Sequence, residues 1–237
     1  MKFFRKLRQK LLSENKTGKY LKYAMGEIVL VVIGILIALQ INIWNENRKT
    51  RTLEKKLLNE LIQSLQTDID GLQFVILKNS EIMEQCQFII QLLEGEQVYH
   101  DSLSSYFYNV QNYYHHSFNR SAYETSKSHG LYFIKSDNAR SRLSQLYEWQ
   151  FEMNSNLRQV KNDFNSMIAE PYLADNFDFI LNDKKGLTPI DYQALMSKSK
   201  YKYIVNSSIS KMRTALHWQN TFLDNIEQIQ AQLNSEL

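Results

Sequence analysis

What the chain has little of bounds it first. It carries one cysteine, Cys86, so no intramolecular disulfide framework is possible and redox chemistry says nothing about its compartment. Two prolines and seven glycines in 237 residues are few, and a chain so poor in breakers is expected to be helical. The glycines stand far apart, which excludes a Gly-rich phosphate loop, and no serine sits in a G-x-S-x-G elbow. None of the five histidines has another four residues on, and no HExxH occurs, so no metal site is expected. His115 and His116, neighbours about 100° apart on a helix, read as surface residues. Cys86 reads as a small core residue beside Met83 and Ile90. The polar residues read as solvated helix faces rather than convergent catalytic groups, so neither enzymatic activity nor a cofactor is expected.

Excess positive charge is local. The chain is +3 overall, with 28 Lys/Arg against 25 Asp/Glu. Its first 22 residues hold eight Lys/Arg and the single acid Glu14, leaving 20 basic against 24 acidic residues beyond them. That pattern describes a segment attracted to anionic lipid, and it argues against nucleic acid as a partner.

One long apolar run stands out: EIVLVVIGILIALQINIW, Glu27 to Trp44. Ile28 to Leu39 carry no charge, and Tyr23 to Trp44 supply the roughly 20 residues that a hydrocarbon core needs. A buried core helix would fit the apolar run too. The flanks argue for a span, with Tyr20, Tyr23 and Trp44 as headgroup-level rings and the basic cluster on one side. Gln40, Ile41, Asn42, Ile43 and Trp44 offer no small-x-small cleavage site, so residues 23–44 are expected to remain as a signal anchor. The window 45–66 holds five Lys/Arg against the eight of residues 1–22. The N-terminus is therefore expected in the cytoplasm and residues 45–237 outside it, as one domain of about 190 residues.

Within the expected span, Gly34 and Ala38 form a small-xxx-small pair, with Gly26 on nearly the same face, which permits self-association. Glu27 and Gln40 mark its two ends. Glu27 either defines the membrane edge or pairs with Lys22 or a second subunit. Before the span, Phe3, Phe4, Leu7, Leu11 and Leu12 at helical spacing predict a basic amphipathic helix over residues 1–22. Lys2, Arg5, Lys6, Arg8 and Lys10 would contact the lipid surface.

The run from Lys2 to Glu46 resembles the opening of a family of uncharacterised single-span proteins abundant in Bacteroidota, filed as a domain of unknown function, family 6090. SAYETSKSHGLYFIKS, Ser121 to Ser136, is similar to a later part of that family. The resemblance implies an inner-membrane protein with a periplasmic helical region, and it brings no activity or catalytic residues.

Past Trp44, Leu53, Leu57, Leu61, Leu65, Ile69, Leu72, Ile76, Met83, Ile90 and Leu93 predict one amphipathic helix to about Gly95. It suits a bundle better than a coiled coil because the repeat is not a strict heptad. Asp101 or Ser102 is expected to cap a helix running to about Ser117, with Leu103, Tyr106, Phe107, Val110 and Tyr114 inward. Asp101-Ser102-Leu103 also resembles a short periplasmic O-glycosylation acceptor. Tyr99, Tyr106, Tyr108, Tyr113 and Tyr114 read as packing, with a ligand pocket as the other reading. Ser121 and Glu124 predict a capping box for a short helix stopped at Gly130. Ser136 or Asp137 starts a helix ended by Pro171, with Leu143, Leu146, Gln150, Met153, Leu157, Val160, Phe164 and Ile168 on one stripe. Arg140 and Arg142, near His129, read as a solvated capping region or an anion site. A loop holding Phe177, Phe179 and Ile180 follows to Gly186, Thr188-Pro189 opens a short helix, and Tyr201 to about Asn234 forms the last long one. Its stripe is Val205, Ile209, Met212, Leu216, Leu223, Ile226 and Leu233.

The expected fold is all-α: a single N-terminal transmembrane helix continuing into a long helix, then a periplasmic antiparallel bundle of about four main helices. The expected role is a membrane-anchored, non-enzymatic interaction or scaffold protein, in contact with lipid, a protein partner and a second copy through Gly34 and Ala38. A helical-bundle ligand sensor is the alternative. With about 22 cytoplasmic residues it would have to signal through a partner.

Overall fold

The computed structural model describes residues 17–181 and 185–237. The lipid-facing residues expected near the start, Lys2, Arg5, Lys6, Arg8 and Lys10, lie outside the described residues. The chain divides into two compact units, Met1–Lys56 and Leu57–Leu237.

The described part of the first unit belongs to helix α1 (Thr17–Leu93), which runs on unbroken through 77 residues. It is long and apolar enough to cross a membrane: its most apolar 18-residue window has a mean hydropathy of 2.5, and none of that window is buried. The ten Val, Ile and Leu side chains between Ile28 and Leu39 are all exposed.

The second unit is mostly helical. After α1 come a 3-10 turn (Asp101–Leu103), α2 (Ser104–Asn109), α3 (Ser121–Ser128), a second 3-10 turn (Leu131–Phe133) and α4 (Asp137–Gln145). A π turn (Leu146–Gln150) leads into α5 (Phe151–Phe164), and another (Asn165–Ala169) into α6 (Glu170–Asn176). A hairpin of β1 (Phe177–Leu181) and β2 (Lys185–Pro189) follows, then α7 (Tyr192–Ser197) and α8 (Ser199–Asn234).

The 3.6-residue stripes decide the packing. Leu58, Leu61, Leu65 and Leu72 of α1 meet Leu143 and Tyr147 of the α4–α5 run and Phe222, Ile226 and Leu233 of α8 in one buried cluster. Ile82, Cys86, Ile89 and Leu92 meet Phe164, Leu173, Tyr201, Val205 and Met212 in another. Residue numbers rise along α1 as they fall along α8, so these helices are antiparallel, while the α4–α6 run parallels α1. Tyr123 stacks on Tyr147 with ring centroids 4.4 Å apart. Glu236 accepts hydrogen bonds from the backbone N–H groups of Lys135 and Ser136, 2.6 and 2.9 Å away, fastening the chain beyond α8 to the start of α4.

Several local expectations are corrected. The fold is not purely helical: residues 177–189 pair antiparallel, with Phe177 opposite Pro189 and Phe179 opposite Leu187. Phe177 and Leu187 are buried while Phe179 is exposed, and burial along the two five-residue strands follows no two-residue alternation, so the sequence carries no strand signal here. Helix α7 begins after Asp191, whose carboxylate accepts from the N–H of Ala194 at 2.9 Å, not at Thr188-Pro189. The cap before α2 is the ring nitrogen of His100, which accepts from the N–H of Ser102, and the helix stops at Asn109 rather than Ser117. Ser121 lies inside α3 and makes no capping box; the Asn119 side chain accepts its N–H instead.

Pro171 does not end its helix. A proline removes an N–H and clashes with the carbonyl four residues back. Here that carbonyl belongs to Met167, inside the π turn where the α ladder is already interrupted, so Pro171 enters α6 as it would enter a new helix.

Candidate functional site

Between the two apolar clusters lies a polar layer built around residues 110–120, a stretch with almost no regular structure that passes among the helices. Buried backbone groups need partners, and side chains supply them. Asn79 donates to the carbonyl of Tyr114 at 2.8 Å and accepts its N–H at 2.9 Å. Asn154 donates to the carbonyl of His116 at 2.9 Å and Asn165 to that of Gln111 at 2.5 Å. Asp68, 1% exposed, lies 2.8 Å from the His116 ring, which is itself largely covered. His116 is therefore not a surface residue. Its ring sits against the backbone of α1 at Gly71, where any Cβ would collide with the imidazole.

Lys161 belongs to this layer. It is 3% exposed on α5, and its Nζ donates to the carbonyl of Val110 at 3.3 Å and the hydroxyl of Ser208 at 3.2 Å. Among the described residues no carboxylate stands within ion-pair distance of it. Burying an ammonium without a counter-charge costs several kcal/mol. Burial pushes Lys161 down to about 8, and the Lys211 ammonium acts in the same direction. Cys86 is close enough to interact with Lys161 electrostatically, and burial pushes its thiol up to about 11, so at neutral pH it is a thiol near an ammonium.

Lys161 lines a cavity of about 140 Å³. Its apolar wall is Leu157, Val160, Met212 and Ala215, and Lys211 lines it too, with its Nζ 4.1 Å from the centroid of the Phe164 ring. Tyr113 lines the same cavity, its hydroxyl accepting from Gln219 at 3.3 Å, and that tyrosine is pushed up to about 12 by burial.

Sequence reasoning missed Lys161, because a charged residue between Leu157 and Phe164 reads as part of a solvated face. The signal was positional: Lys161 falls one turn before Phe164 and two turns after Asn154, on the face that is buried. Of the five tyrosines weighed as packing or pocket, Tyr99 packs on Tyr192 at 4.5 Å, Tyr106 on Phe88 at 5.6 Å, Tyr108 on Phe179 at 6.0 Å and Tyr114 on Phe74 at 6.1 Å. Only Tyr113 among them reaches this cavity.

Glu27, Gly34, Ala38, Gln40 and Trp44 all lie on α1; nothing approaches within 4 Å of where a Cβ on Gly34 would stand, and Trp44 is exposed with Arg48 6.0 Å from its ring. Arg140 bonds to Ile134 and Asp137, and Arg142 reaches Asn225 and Gln228 of α8 at 3.0 and 2.8 Å. The anion held near the start of α4 is the protein's own Glu236.

No curated protein and no solved structure matches the chain. A family model does match, over residues 27–197, that of a family of unknown function. The matched stretch takes in the apolar run, the threaded segment and Lys161, and ends two residues before α8.

Proposed function

The chain belongs to that family, DUF6090, and because its function is unknown we propose a role from the molecule's own architecture: a membrane-anchored, non-enzymatic interaction protein. Residues 23–44 are its single-pass anchor, residues 1–22 lie on the cytoplasmic face in contact with lipid, and residues 45–237 form a periplasmic domain of helical-bundle type. The observation that carries this reading is an 18-residue window of mean hydropathy 2.5 with none of it buried. At roughly 0.3–0.6 kcal/mol per Leu, Ile or Val at a membrane centre, the ten such residues from Ile28 to Leu39 favour insertion by about 3–6 kcal/mol. The asymmetry of Lys and Arg around the run supports a cytoplasmic N-terminus. A reporter active only in the periplasm is expected to work when fused after Leu237; activity of the same reporter fused at residue 2 would reverse the orientation. Affinity purification of the membrane-embedded protein in mild detergent tests the interaction role, which predicts a stoichiometric protein partner.

A second reading, a ligand sensor that signals through a partner, is favoured by one observation: the cavity beside the buried, uncompensated Lys161. Thermal stabilisation of the full-length protein by a small molecule tests it.

A further inference from the structure

We infer that the Lys161 cavity binds a small monocarboxylate with a compact apolar body, its carboxylate against the Lys161 ammonium and its hydrocarbon part against Leu157, Val160 and Met212. The inference rests on the ligand-binding reading and names the ligand's class.

Charge points to an anion. Lys161 is 3% exposed and uses two of its three N–H groups on Val110 and Ser208, leaving one donor. Among the described residues the cavity lining includes a second lysine, Lys211, and no aspartate or glutamate. Two ammonium groups around one space repel each other, and a single negative charge between them reverses that repulsion in surroundings of low dielectric. The thiol of Cys86 does not serve as that charge, since its burial keeps it protonated at neutral pH.

Shape selects among anions. The apolar wall is wasted on inorganic phosphate or sulfate, whose whole surface seeks hydrogen bonds. A volume of about 140 Å³ is close to the roughly 150 Å³ of an apolar cavity that takes up benzene. An acyl chain of membrane-lipid length exceeds it, which leaves aromatic or short aliphatic acids. Tyr113 lines the cavity, and its hydroxyl accepts from Gln219, which leaves its own O–H as a donor for the second carboxylate oxygen. Ser210 and Thr214 are exposed, so the cavity has a mouth through which such an acid enters.

The test uses the full-length protein in detergent micelles at pH 7, with benzoate and valerate as probes and benzamide and valeramide as neutral isosteres, read by titration calorimetry and thermal shift. Both acids are expected to bind at least tenfold more tightly than their amides. Lys161→Met is expected to remove that preference, and Val160→Trp, at an exposed position that does not disturb the core, to abolish binding by filling the cavity. Acid and amide binding equally, with both lost in Val160→Trp, would overturn the carboxylate inference while leaving a ligand-binding cavity in place. Acid binding unchanged in Lys161→Met would overturn it as well. No binding by any of the four probes at millimolar concentration would also overturn it, and the sensor reading would then rest on a wider ligand screen.

Discussion

Asn79 of α1 and Gln219 of α8, 140 positions apart in the chain, share a hydrogen bond of 3.1 Å in the interior, and both side chains are fully buried. Asn79 also holds the backbone of Tyr114 from both sides, and Gln219 donates to the hydroxyl of Tyr113 at 3.3 Å. Asn79→Ala removes the acceptor of the Tyr114 N–H and the donor to the buried Gln219 side chain. It is expected to cost roughly 2–3 kcal/mol and lower Tm by about 5–10 °C, measured by circular dichroism of the micelle-embedded protein. Lys78→Ala, which loses only the surface pair with Glu81, is the control and should change stability by less than about 0.5 kcal/mol.

Gly71 and His116 form a second coupled pair, because the imidazole occupies the space a Cβ at residue 71 would need. Alanine is the better helix former by about 0.8–1 kcal/mol, but the collision outweighs that gain, as overpacking typically costs about 1–3 kcal/mol. Gly71→Ala is therefore expected to destabilise the wild type and to stabilise a His116→Ala variant. A double-mutant cycle that gave the same sign in both backgrounds would refute the contact.

Lys161 makes stability depend on pH in a predictable direction. With a native value lowered from 10.5 to about 8, both folded and unfolded chains hold the proton below pH 8, and the burial cost is then fully present. Between pH 8 and 10.5 the unfolded chain binds more protons, so stability rises with pH. Cys86 acts oppositely from pH 9 to 11, since its native thiol, raised from 9.0 to about 11, keeps a proton the unfolded chain has lost. Chemical denaturation should therefore show stability climbing from pH 8 to 9 and flattening above. Lys161→Met should lose the climb and raise Tm at pH 7 by a few degrees. The gain is about 1–2 kcal/mol, being the relieved desolvation less the cost of leaving Val110 and Ser208 without their donor.

The same burial predicts an inert thiol. A rise of two pKa units leaves about one hundredth of the usual thiolate at neutral pH. Maleimide labelling of Cys86 is expected to be at least about 100-fold slower in the folded protein than in denaturant; equal rates would place the thiol at the surface.

For the apolar segment, replacing both Gly34 and Ala38 with Leu is expected to reduce self-crosslinking in membranes, by blocking close approach of two helices. Unchanged crosslinking would remove that face as a contact.

The parts of this fold legible in the sequence are those that obey a period. Leu57, Leu61, Leu65, Ile69 and Leu72 on α1, and Val205, Ile209, Met212, Leu216, Ile226 and Leu233 on α8, are buried as their spacing predicts. Leu53 is not, because the buried stripe begins at Leu57. What periodicity cannot show is a polar side chain on a buried face, and Asp68, Asn79, Asn154, Lys161 and Gln219 all occupy one. Their partners are backbone groups of the 110–120 stretch, whose tyrosines at helical spacing suggested a helix continuing past Asn109. The hydrogen bonds that prevent it come from residues such as Asn79 and Asn154, 35 and 38 positions away from their partners. No local rule contains them.

The threaded segment also sets a schedule for the chain's birth. Its latch at Gln219 and part of the cover over Leu58, Leu61 and Leu72 belong to α8, the last long element to leave the ribosome. At 5–20 residues per second, the 141 residues between Leu93 and Asn234 take roughly 7–28 s to synthesise. Through that interval the α4–α6 run can already meet the apolar stripe of α1, but the side of the stripe that Ile226 and Leu233 cover stays open until the last residues are added.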